Sequence, residues 1–209
     1  MLRILIADDH AVVRQGVKKI LVEELGDVVF GEAQNGAEVL ELVSGQKWDI
    51  LILDISMPGR SGLDILKDLR RENRNLSILV LSIYPEDHYA IRALRSGASG
   101  YITKGSAPDE LVNAIKKILA GEKYISADLA RKLPFYLDRE TEQSPHEKLS
   151  DREYQVMCMM ASGKTPTLIA EELCLSVKSI STYRSRILEK LELKTNAELI
   201  HYALENKLV

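Results

Sequence analysis

The chain has 209 residues, of which 45% are apolar, 28% charged and 5% aromatic, and its formal net charge is −3. That is the composition of an ordinary folded chain, neither fibrous nor disordered. The longest apolar runs, such as Ile50 to Leu53 and Ile78 to Leu81, fall far short of the roughly 18 residues a membrane span needs, so no membrane association is expected. The opening MLRILIADDH places carboxylates at positions 8 and 9, where a secretory signal carries its apolar core, and a cytoplasmic location is expected. Two cysteines, Cys158 and Cys174, are too few for a disulfide framework or a four-ligand zinc site. Both sit among apolar residues and are expected to be buried thiols.

Residues 1–122 alternate strand with helix. Apolar runs occur at Leu2 to Ala7, Val28 to Ala33, Ile50 to Leu53, Ile78 to Leu81 and Gly100 to Ile102. Each is followed by apolar residues spaced three to four apart, as in Val13, Val17, Ile20, Leu21 and Leu25 before Gly26. Continuous apolar runs suit strands covered on both faces, and their alternation with helices implies right-handed crossovers in a parallel sheet. The expected fold is α/β, a doubly wound (βα)5 domain.

Ligands of such sheets bind beyond the carboxyl ends of the strands. Strand one there ends in Asp8 and Asp9, strand three in Asp54, strand four in Ser82, and strand five carries Tyr101 with Lys104 just beyond it. Three carboxylates at one mouth repel one another unless a cation joins them, and an all-oxygen ligand set suits Mg²⁺. Lys104 and Ser82 add a cation and a hydroxyl donor, which suits a phosphate-like anion. After strand one stands ADDHAVVRQG, without the glycine pattern of a nucleotide-binding loop. The four histidines, His10, His88, His146 and His201, have no metal-ligand spacing, and no serine, histidine and acid set falls at matching strand ends. An aspartate can itself attack phosphorus, and Asp54, alone at the end of the central strand, is the best-placed nucleophile.

The acid pair, the lone Asp54 followed by Met57-Pro58-Gly59, Ser82 and Lys104 together resemble the receiver domain of two-component response regulators. The resemblance implies a flavodoxin-like fold of strand order 2-1-3-4-5. It implies that Asp54 accepts phosphoryl from a sensor histidine kinase, that Asp9, Asp54 and the Ser56 carbonyl bind Mg²⁺, and that Asp8 holds a metal-bound water. Lys104 would pair with the phosphoryl group, Ser82 close on it and Tyr101 swing inward behind Ser82. Lys104-Gly105 stands where many receivers have Lys-Pro. Such a protein is a switch rather than an enzyme, apart from slow autodephosphorylation. A phosphohydrolase using an aspartate nucleophile would need a second acid two residues on, where Ser56 stands.

Residues 123–147 are expected to be a linker with a partial helix. Ser126 to Leu137 has helical spacing broken by Pro134, and Asp138 to Lys148 is polar and without apolar anchors. From 148 to 209 the pattern is wholly helical. Ser150 with Glu153 and Thr195 with Glu198 read as capping boxes, Thr165-Pro166 and Ser176 as further starts, so four helices are expected. Leu173-Cys174-Leu175 has the length of a helix-turn-helix turn. The third helix places Ile180, Tyr183, Ile187 and Leu191 on one face and Lys178, Ser181, Thr182, Ser185 and Arg186 on the other. Between 176 and 194, Lys178, Arg184, Arg186, Lys190 and Lys194 stand against only Glu189 and Glu192, a local positive excess like that of nucleic-acid binders.

This segment is similar to the LuxR-type helix-turn-helix of the NarL/FixJ response regulators. The shared residues are Leu149-Ser-Asp-Arg-Glu153, Ile169-Ala170, and Ser176 through Lys190-Leu191, with Ser179, Ile180 and Tyr183 where the family has Thr, Val and His. The resemblance implies that Ser181, Thr182 and Ser185 face bases in double-stranded DNA, while Lys178, Arg184, Arg186, Lys190 and Lys194 meet phosphates. It also implies a homodimer on phosphorylation, formed partly through the last helix, and RNA polymerase as a candidate partner. The whole chain is therefore expected to be a response regulator in which Asp54 phosphorylation controls DNA binding and transcription. The alternative is a phosphate-independent regulator of the same architecture.

Overall fold

A computed structural model describes residues 1–72, 75–131, 144–206, 208 and 209. The chain divides into two compact units, residues 1–132 and 133–209.

The first unit is a five-stranded parallel sheet, β1 (Leu2–Ala7), β2 (Val28–Ala33), β3 (Ile50–Leu53), β4 (Ser77–Ser82) and β5 (Gly100–Thr103), in the order β2-β1-β3-β4-β5. The helices α1 (Ala11–Leu25), α2 (Gly36–Gly45), α3 (Gly62–Glu72), α4 (Glu86–Arg95) and α5 (Ala107–Leu119) connect and cover it. The flavodoxin-like order expected from sequence is present. Every residue of β3 is at most 1% exposed, which explains an apolar run without alternation: both faces are covered. Ile4, Ile6, Ile50, Ile52, Leu79 and Leu81 pack with Val17, Leu21, Leu111, Ile115 and Ile118 of α1 and α5. Their alternates, such as Leu5, Leu51 and Val80, point to the opposite face and are equally buried.

Residues 123–131 belong to this unit and do not behave as linker. Tyr124 forms a parallel bridge with Gly100, Leu129 is fully buried, and Ser126 Oγ binds Glu86 Oε2 at 2.5 Å. The rest of the expected partial helix and of the linker, residues 132–143, lies outside the described residues.

Among the described residues the second unit has a 3₁₀ turn, Pro145–Lys148, followed by α6 (Asp151–Ala161), α7 (Pro166–Glu172), α8 (Val177–Lys190) and α9 (Asn196–Glu205). The four expected helices are there, and the polar end of the linker is anchored after all. Its His146 Nδ1 lies 2.9 Å from the Tyr202 hydroxyl of α9, which the His146 N–H also approaches at 3.3 Å. Ser150 and Glu153 close the capping box of α6 in both directions. At α9 only half the pattern takes that form: Thr195 Oγ1 accepts from Glu198 N at 3.2 Å, while the Glu198 carboxylate reaches Lys194 N at 2.6 Å. α6 packs on α8 and α9, and α7 on α8, around Val156, Met157, Ile169, Ile180, Ile187 and Leu199. Among the described residues no helix is long and apolar enough to cross a membrane.

Candidate functional site

Strand register assembles the first site. Ala7 is the partner of Leu53 and Leu53 of Val80, while Ser82 is the partner of Thr103. Asp8 and Asp54 therefore leave adjacent strand ends, at the point where the chain turns from one side of the sheet to the other. Ser82 and Lys104 close the mouth from β4 and β5. Lys104 Nζ stands 2.7 Å from Asp8 Oδ2 and 2.7 Å from Asp54 Oδ2. Asp54 Oδ1 accepts the Ser56 N–H at 2.9 Å, and the Lys104 N–H is bound to the Ser82 carbonyl at 2.7 Å. Carboxylate oxygens of Asp8, Asp9 and Asp54 and a ring nitrogen of His10 lie within 4.8 Å of one another. Among the described residues, Asp8 Oδ2 and Asp9 Oδ1 accept no aligned hydrogen bond. Their close neighbours, Lys104 and His10, leave lone pairs unspent.

Burial pushes the Asp54 carboxyl above the ordinary carboxylate value, against the pull of Lys104. Burial pulls Lys104 down, but Asp54 and Asp8 outweigh it and its ammonium is held above the ordinary lysine value. The two groups are thus a mutually dependent buried pair. Ser82 is fully buried and its Oγ accepts the Tyr84 N–H at 3.1 Å. Tyr101 is also fully buried, and its hydroxyl donates to the Tyr84 carbonyl at 2.9 Å. Burial raises the Tyr101 phenol pKa, so it stays a donor. The backbone of Tyr84 therefore touches both Ser82 and Tyr101.

The second unit presents α8. Ile180 and Ile187 are buried, with Leu188 and Leu191 beside them, whereas Tyr183 is half-buried. Lys178, Ser181, Thr182, Ser185, Arg186 and Lys194 are exposed. The hydroxyls of Ser181, Thr182 and Ser185 donate to carbonyls four residues back, at 3.0 to 3.1 Å, so what they offer outward is acceptor capacity. Two of the expected phosphate contacts are engaged within the unit. Lys190 Nζ binds the buried Glu153 carboxylate at 2.6 Å, and Arg184 Nε donates to Asn196 Oδ1 at 2.5 Å.

Two families match the chain: the response regulator receiver domain over residues 4–116 and the bacterial regulatory proteins of the luxR family over residues 147–203. The chain is a response regulator of the NarL/FixJ family. The regulator is 34% identical to the response regulator UvrY of Escherichia coli K12, over all of this chain and 96% of that protein. It is 36% identical to the response regulator GacA of Pseudomonas aeruginosa, over all of this chain and 98% of that one. Among solved structures it resembles RcsB of Salmonella enterica serovar Typhimurium bound to promoter rprA with the phosphomimetic BeF₃⁻, at a TM-score of 0.62 and 28% identity, covering 97% of this chain and 98% of that one. The response regulator ChrA of a heme-sensing two-component system matches at a TM-score of 0.52 and 25% identity, over 100% and 98% of the two chains. The regulator is thus a two-component response regulator with a LuxR-type DNA-binding domain that acts in transcription.

Three features of the regulator depart from or escape the sequence pattern. Cys174 is exposed, contrary to expectation, because it occupies the left-handed position (φ 50) that ends α7 and turns the chain into α8. His10 has no ligand spacing to another histidine, yet its Nδ1 lies 2.9 Å from Asp9 Oδ1; its position directly after the acid pair was the available signal. Arg14, one turn into α1, is 6% exposed and reaches the Asp8 carbonyl; no local pattern marked it. All described peptide bonds are trans, Lys104-Gly105 included.

Proposed function

We propose that a sensor histidine kinase transfers a phosphoryl group to Asp54, and that this switches dimerisation and sequence-specific binding of the helix-turn-helix to double-stranded DNA. The observation that carries the proposal is the Lys104 ammonium held between Asp54 and Asp8, each at 2.7 Å, at the mouth of the sheet. An Asp54 carboxylate oxygen attacks phosphorus in line. The P–N bond to the kinase histidine breaks, and the imidazole leaves with the electron pair and is protonated from solvent. Lys104 then pairs with a phosphoryl oxygen, and the Ser82 hydroxyl, released from Tyr84 N, donates to another. Because Tyr84 also holds the Tyr101 hydroxyl, that movement reaches β5 and α4.

The clustered carboxylates fit a hard divalent cation, since their donors are oxygens and two of these oxygens lack aligned partners. Asp9, Asp54 and the Ser56 carbonyl would hold Mg²⁺, with Asp8 on one of its waters; when bound, the ion neutralises carboxylate and phosphoryl oxygens. On DNA, Ser181, Thr182 and Ser185 face base edges, and Lys178, Arg186 and Lys194 meet phosphates. Arg184 and Lys190 reach phosphates only after leaving Asn196 and Glu153. The protein works in the cytoplasm as a switch rather than a turnover enzyme, dimerises when phosphorylated and acts alongside RNA polymerase.

The test is the intact mass after incubation with acetyl phosphate and Mg²⁺. Wild type should gain one phosphoryl adduct that a chelator abolishes and Asp54→Asn lacks. No adduct, together with no binding of beryllofluoride, would refute the proposal in favour of a phosphate-independent regulator.

A further inference from the structure

We propose that Arg14 is a positioning residue that aims the acid pair Asp8-Asp9 at the cation site, anchored for that purpose by Glu32 and Lys18. The inference rests on the reading of the acid cluster as a Mg²⁺ site and goes beyond it by assigning a supporting group on α1, outside the cluster itself.

An arginine is almost never this buried without partners, and Arg14 has two. Nη1 donates to the Asp8 carbonyl at 2.7 Å, and Nε donates to Glu32 Oε2 at 2.8 Å. Lys18 Nζ takes the other Glu32 oxygen at 2.7 Å, so the carboxylate cannot rotate away from the guanidinium. These two cations hold the Glu32 carboxyl below its ordinary value. The Asp8 N–H is bound in turn to the Ala33 carbonyl at 3.1 Å. Asp8 is therefore tied to the end of β2 twice, directly through its amide and through Arg14 and Glu32 by its carbonyl.

The consequence passes to Asp9 through the peptide bond. The Asp8 carbonyl and the Asp9 N–H share one rigid plane. The hydrogen bond that fixes the carbonyl therefore fixes the N–Cα axis from which the Asp9 side chain leaves the backbone. It does the same for the turn in which the His10 N–H donates to Asp8 Oδ1 at 2.9 Å. The planar fork of arginine can serve a carbonyl and a carboxylate at once in this geometry; a lysine ammonium keeps the charge and loses the fork.

The test is Mg²⁺ titration of the full-length protein by calorimetry, comparing wild type with Arg14→Lys, Arg14→Gln and Glu32→Gln. Thermal unfolding in chelator is followed in parallel. Positioning groups behind metal ligands are worth about 10- to 100-fold in affinity. Both Arg14 variants should bind Mg²⁺ roughly 10-fold or more weakly, and Glu32→Gln a few-fold. A role as charge alone predicts the opposite sign: Arg14→Gln would bind more tightly and Arg14→Lys like wild type, which overturns the proposal. A merely structural ion pair predicts lowered thermal stability with wild-type Mg²⁺ affinity in every variant, which overturns it equally. Should the Arg14 variants not fold, Glu32→Gln decides alone, and unchanged affinity there is also a refutation. Absence of Mg²⁺ binding by wild type would instead remove the underlying reading of the acid cluster.

Discussion

Adding one methyl group at Gly62 should damage both the stability and the chemistry of the receiver, because the space it needs is occupied by the backbone of Ile55 and of Asp54, the proposed phosphoacceptor. A Cβ at Gly62 would lie 2.5 Å from Ile55 Cα and 2.6 Å from the Asp54 carbonyl oxygen. Ordinary contact begins at 3.4 Å, so these main-chain atoms must retreat by about 1 Å, and unlike a side-chain tip they cannot rotate away. Overpacking of this kind costs about 1–3 kcal/mol. The helix propensity that Gly62→Ala gains at the start of α3, at most about 1 kcal/mol, offsets part of it. For a unit of this size the net effect is a fall of several degrees in melting temperature. Trp48, the single tryptophan, is 8% exposed and lies within the first unit, so its fluorescence in a urea titration reports that unit's unfolding. Displacing the nucleophile on the 1 Å scale should also slow phosphorylation by acetyl phosphate, by up to about 100-fold. Gly45→Ala is the matched control, since nothing lies within 4 Å of its added Cβ, and it should be neutral or slightly stabilising. A Gly62→Ala protein that unfolds at the wild-type midpoint and is labelled at the wild-type rate would refute the steric reasoning.

Four further outcomes are expected. Ser150→Ala removes the side chain that accepts from Glu153 N and should destabilise the second unit by about 1 kcal/mol, read as faster amide exchange in α6; unchanged exchange would count against the capping box. Burial raises the Glu153 carboxyl pKa, but the bonds from Lys190 and Ser150 outweigh it and hold it below the ordinary 4.5. Its stabilising effect is then complete above that value and fades as pH falls through the lower folded value, so Glu153→Gln should flatten the acid side of the second unit's stability profile. In DNA titrations at varied salt, Arg186→Ala should lower the salt slope by about 1. Ser181→Ala with Thr182→Ala should erase sequence preference and keep that slope, and a change confined to the slope would show that these hydroxyls do not face bases.

Much of this molecule is written in short stretches of its sequence. The β1, β2 and β3 runs expected at 2–7, 28–33 and 50–53 are the strands observed, and β4 and β5 extend theirs by a residue at one or both ends. Apolar continuity depends only on neighbours along the chain, and so do the caps: Ser150, Thr165, Ser176 and Thr195 each accept from an amide three residues on. That Asp8, Asp9, Asp54, Ser82 and Lys104 meet at one mouth of the sheet was legible because a parallel sheet brings strand ends together, so knowing where each strand stops is enough to place them side by side.

Tertiary structure alone decided which charges meet. Glu153 and Lys190 are 37 residues apart and Arg14 and Glu32 are 18 apart, and nothing local distinguishes these partners among 28 cations and 31 acids. It decided that residues 123–131 close on the receiver and that the polar turn at His146 docks on Tyr202. It also put Cys174 in water, because the turn into α8 needed a left-handed residue there. Helix phase and strand ends are set within a few residues, whereas an ion pair or a docked turn exists only where two distant segments are carried to the same place by the packing of everything between them.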